Sequence, residues 1–84
     1  MKRMHRINKL LLNKFGDFTI KIIDNSHLHV NHGSFDGRGE THIKIILKSK
    51  RPQKINRLLI HKSINNMLFD EFKSGLHSLE ININ

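Results

Sequence analysis

The chain has 84 residues, a formal charge of +8 with neutral histidines, seven histidines and no cysteine. That length allows one domain over residues 1–84 with a thin core, since a chain this size buries only about 60% of its unfolded surface. The lack of cysteine excludes disulfides, thiol catalysis, a self-contained Cys-ligated iron–sulfur cluster and a zinc finger. The positive balance favours acidic partners, whether nucleic acid, anionic lipid or an acidic protein face.

Met4, Ile7, Leu11 and Phe15 recur at helical spacing, with Leu10 and Leu12 widening the stripe. Lys2, Arg3, Arg6, Lys9 and Lys14 fall on the other side and read as a solvated face. Gly16-Asp17 is expected to end the helix. The segment lacks the continuous apolar run and cleavage site of a signal peptide. No apolar run approaches the roughly 18 residues of a membrane span. A cytoplasmic protein without a membrane partner is expected.

Phe18, Ile20 and Ile22 alternate with Thr19 and Lys21, the period-two mark of a half-buried strand. Ile43, Ile45 and Leu47 alternate again after His42. Between them runs DNSHLHVNHGSFDGRGETH, Asp24 to His42, with four histidines (His27, His29, His32 and His42) and three glycines. Connections longer than roughly 12–15 residues are uncommon in compact domains and tend to be functional or disordered. So many imidazoles in one long connection point to function.

Lys48, Lys50, Arg51, Lys54 and Arg57 form a cationic run around the only proline, Pro52. A second helix is expected from about Gln53 to Lys73, with Ile60, Ile64, Met67, Leu68 and Phe72 as its stripe and Gly75 as its C′ residue. Asp70 and Glu71 read as surface charges. Leu79, Ile81 and Ile83 alternate with Glu80 and Asn82 in a third strand placed at Leu76–Ile83. Right-handed strand–helix–strand crossovers make the last two strands parallel. The expected fold is α+β: an α-β-β-α-β order, a three-stranded mixed sheet and both helices on one face. The other face would display Lys21, Lys44 and Lys48.

Four motifs resemble the BolA-like family in order and spacing. They are D-N-S-H-L-H at Asp24–His29, G-E-T-H-I-K at Gly39–Lys44, the helix holding His61 and ending L-F-D-E-F at Leu68–Phe72, and G-L-H-S-L at Gly75–Leu79. The resemblance runs from Phe18 to Ile83. It implies a class II KH-like fold and partnership with a monothiol glutaredoxin of the CGFS type. In such complexes a [2Fe–2S] cluster is shared: the glutaredoxin and glutathione supply thiolates, and the BolA-like protein supplies the other ligands. The family's histidine at the start of the last strand matches His77, and its variable loop ligand matches His29. His27 and His32 stay open as alternatives to His29.

The chain departs from the family pattern in three places. The family's R-H-R reads Ile60-His61-Lys62, the aromatic residue that usually follows that motif is replaced by Asn65, and the sequence reaches Asn84 ahead of the T-x-x-E-W segment with which family members usually continue. Imidazole can replace thiolate on one iron of a [2Fe–2S] centre, so a chain without cysteine can act there as a co-ligand. The isolated chain is expected to bind no cluster, and to be a monomer or weak homodimer. His42 opens its strand opposite in parity to Ile43 and is taken as structural, bonding the loop or stacking on a neighbouring strand. His61 is taken as a half-buried histidine, and His5 is given no role.

A zinc site built from histidines alone ranks lower, because no helical H-E-x-x-H pairing is present. The runner-up is DNA binding and transcriptional regulation through Lys48, Lys50, Arg51, Lys54 and Arg57, where phosphate contacts give salt-sensitive, mostly sequence-blind affinity. A KH-type G-x-x-G loop is missing, since Gly37-Arg38-Gly39 has the wrong spacing. No nucleophile–base pair or carboxylate cluster suggests an enzyme. The sequence therefore reads as a binding and adaptor module in iron–sulfur trafficking or iron homeostasis.

Overall fold

A computed structural model describes residues 2–26 and 41–84. The elements run α1 (Arg3–Lys14), β1 (Phe18–Asp24), β2 (His42–Ser49), α2 (Arg57–Met67), α3 (Phe69–Lys73) and β3 (Ser78–Ile83). The sheet order is β1-β2-β3, with β1 antiparallel and β3 parallel to β2. This is the mixed three-stranded sheet that the alternating apolar residues predict.

Alternation decides which face is covered. Ile43, Ile45 and Leu47 of β2 are buried and join Phe18 and Ile83 in one core with Ile7 and Leu11 of α1, Ile64 of α2 and Leu68. Ile20, Ile22, Leu79 and Ile81 pack against that core half-buried. On the opposite face Lys21 and Lys48 are exposed, and Lys44 Nζ stands 3.4 Å from Glu80 Oε2 on the neighbouring strand. Such a partly exposed pair contributes little to stability.

The helices depart from the periodic reading at their ends. α1 stops at Phe15, whose N–H donates to Leu11 O. Gly16 does not take the left-handed conformation expected of it; of the described glycines only Gly75 has a positive φ, +123°. Phe15 and Phe18 meet edge-to-face across the turn, with ring centroids 6.0 Å apart, tying α1 to β1. Leu10 (38% exposed) and Leu12 (54%) do not widen the buried stripe.

The second helix starts at Arg57 rather than near Gln53, because Asn56 caps it by accepting from Leu59 N–H. It is also not continuous. The backbone leaves helical geometry at Leu68, and α3 then turns Glu71 inward and Phe72 outward. Glu71 is therefore not a surface charge: it is 7% exposed, whereas Asp70 is exposed.

Its partners come from the α1 face that reads as solvated. Arg3 Nε donates to Glu71 Oε1 (3.0 Å), Arg6 Nε to Oε2 (2.7 Å) and Arg6 Nη2 to Oε1 (2.8 Å). Arg3 Nη2 also donates to Ser74 O and Oγ. The bonds from Arg6 in particular, with those from Arg3, hold the Glu71 carboxyl below its usual 4.5 against the opposing effect of burial. This bidentate cluster fastens α1 to the turn that leads into β3.

Candidate functional site

The site lies where β1 ends, β2 begins and the chain enters β3. Of the histidines singled out for ligation, His77 is described and exposed; His27, His29 and His32 lie outside the described residues. β3 begins at Ser78, one residue after His77, so His77 escapes the inward parity of Leu79 and Ile81. Its backbone is nonetheless fixed: His77 N–H donates to Thr41 O at 2.8 Å, and Ser78 N–H shares that acceptor at 3.2 Å.

His42 is half-buried on the open sheet face, paired in register with Ser78. Its ring meets that of His77 edge-to-face, with centroids 5.7 Å apart and planes at 78°. Thr41 Oγ1 lies 2.9 Å from His42 Nδ1. The ring contact of His42 is thus edge-to-face rather than the expected stacking on a strand, and its partner ring belongs to the candidate ligand ahead of β3.

A polar clasp that sequence reasoning overlooked closes the two strand ends. Ser26 Oγ donates to Asp24 Oδ1 (2.5 Å) and accepts from Thr41 N–H (2.8 Å) and His42 N–H (3.2 Å). Ser26 N–H also donates to Asp24 Oδ1, and Asn25 N–H donates to His42 O. Ser26 and Thr41 are both buried, so the bonds offset the cost of desolvating their hydroxyls. The signal was available in the motifs themselves: the aspartate and serine of D-N-S and the threonine of G-E-T-H stand where two strands must be joined.

No group of three or more His, Asp or Glu that could hold a metal ion forms among the described residues. His77 offers one exposed imidazole there, a donor type that can stand in for thiolate on iron.

All five cations of the second candidate surface are exposed. Lys48 lies at the end of β2, Lys50, Arg51 and Lys54 in the connection, and Arg57 at the start of α2. Arg51 Nη2 bonds Asp17 Oδ2 at 3.0 Å, and Arg57 Nε donates to Ile83 O. His61 is half-buried on α2. No helix among the described residues is long and apolar enough to cross a membrane.

The family model described as "BolA-like protein" matches residues 2–84. A Sinorhizobium protein described as "Uncharacterized protein in cobS 5'region" is 33% identical over 82 residues, covering 96% of this chain and 88% of that protein. Two solved Arabidopsis thaliana structures superpose with TM-scores of 0.78, each covering 100% of this chain and 92% of the other. They are the BolA domain of SufE1, 31% identical, and BolA1, 28% identical. The matched length, the level of identity and the close superposition show that the chain belongs to the BolA-like family.

Proposed function

We propose that this chain is an accessory binding module, not an enzyme, that joins a monothiol CGFS-type glutaredoxin and co-ligates a [2Fe–2S] cluster with it. His77 supplies one ligand and His29 the other, with His27 and His32 as alternatives to His29. The glutaredoxin and glutathione supply the thiolates. The role is in iron–sulfur trafficking or iron homeostasis. The observation that carries the reading is His77 itself: an exposed imidazole on an anchored backbone, beside the strand ends that bracket the histidine-rich segment. Imidazole ligation raises the reduction potential of such a cluster relative to an all-thiolate site.

Mixing the chain with a CGFS glutaredoxin, glutathione and reconstituted cluster tests this. A one-to-one complex is expected, with visible absorption and circular dichroism unlike those of the glutaredoxin homodimer. His77→Ala should abolish the difference. A spectrum that does not change on adding the chain, or that His77→Ala leaves intact, contradicts the reading.

The exposure of Lys48, Lys50, Arg51, Lys54 and Arg57 at one strand–helix junction supports a second role, phosphate-directed DNA binding in transcriptional regulation. Duplex titration at two salt concentrations tests it, and no binding at low salt removes it.

A further inference from the structure

We infer that His42 is a positioning residue for His77: its ring, held by Thr41, fixes the direction in which the His77 imidazole is presented. This rests on the reading of His77 as a ligand.

An exposed histidine ahead of a strand has free side-chain torsions, and ordering them opposes ligation. Three features restrict this one. The His77 backbone is bonded to Thr41 O. The His42 ring stands edge-to-face against the His77 ring at 5.7 Å, within the range of stabilising aromatic pairs. Thr41 Oγ1, 2.9 Å from His42 Nδ1, holds the second ring in turn.

Thr41 is the common pivot. Its carbonyl takes the His77 and Ser78 N–H groups, its N–H is held by Ser26 Oγ, and its hydroxyl serves His42. Ser26 is anchored on Asp24. The clasp joining β1 to β2 therefore also sets the backbone and, through His42, the ring of His77. Metal-binding histidines are commonly oriented by a hydrogen bond to their second ring nitrogen; here the orienting group is a neighbouring ring.

The test uses the whole chain as wild type and as His42→Ala, His42→Phe and His77→Ala variants, each checked for an intact thermal transition. In the free chain, NMR couplings and ring-to-ring contacts report the His77 rotamers. One rotamer should dominate in wild type and in His42→Phe, which keeps a ring at the position. In His42→Ala its ratio to the others should fall roughly fivefold, the loss expected for one aromatic contact. In the cluster-bearing complex, His42→Ala should alter the visible circular dichroism and His42→Phe should restore it.

Unchanged His77 rotamers in His42→Ala overturn the inference. So does a His42→Phe complex whose spectrum is lost as fully as with His77→Ala, a result that would make His42 a ligand. If His77→Ala leaves the spectrum untouched, the cluster reading fails, while the rotamer measurement still decides whether His42 positions His77.

Discussion

Replacing Glu71 by Gln should destabilise the fold far more than a surface substitution. Removing one partner from a buried ion pair costs about 3–5 kcal/mol, because the remaining charge is left uncompensated. Here the Arg6 side chain is 40% exposed and can rehydrate. Arg3, at 12% exposure, keeps its bonds to Ser74. Those two facts lower the expected loss to about 2 kcal/mol, or about 8–16 °C in thermal midpoint for a domain of this size.

Urea unfolding followed by circular dichroism at pH 7 measures it directly. The pH dependence carries a sign of its own. The folded carboxyl titrates below its usual 4.5, so its contribution is complete above that value and is lost as pH falls through the folded value. Wild type and Glu71→Gln should therefore converge in acid. A loss under about 0.5 kcal/mol at pH 7, typical of a surface site, would refute the argument, as would a gap that persists unchanged in acid.

Three further outcomes follow from other parts of the molecule. Gly75→Ala should cost about 1–3 kcal/mol, because φ of +123° strains any other residue, and its new Cβ would lie 3.4 Å from Arg3 Nη2; chemical denaturation checks this. Ser26→Ala leaves the buried Thr41 N–H without its acceptor and should cost about 1–3 kcal/mol, with faster amide exchange at Thr41 and His42. Neutralising Lys50, Arg51 and Lys54 should reduce the salt slope of any DNA binding by about three and leave the glutaredoxin complex intact.

The sheet was legible because period-two alternation is a local property. Phe18, Ile20 and Ile22 needed no distant partner to declare their face, nor did Ile43, Ile45 and Leu47. The Glu71 cluster was not legible, since Arg3 and Arg6 lie 68 and 65 residues away and look like any cations on a helix. The break at Leu68 exchanged the expected roles of Glu71 and Phe72, and a continuous helix could not have shown it. Parity alone would have turned His77 inward; the strand begins one residue later and leaves it exposed. The contact between His42 and His77 depends on the parallel register of β2 and β3, a tertiary fact that spacing within either segment does not contain.

The most direct test of ligation is pulsed electron paramagnetic resonance on the reduced cluster in the glutaredoxin complex, with this chain labelled in ¹⁵N-histidine. Hyperfine coupling to labelled histidine nitrogen is expected in wild type, with the His77 component missing in His77→Ala. A reduced cluster that shows no coupling to the labelled chain would contradict ligation by this chain.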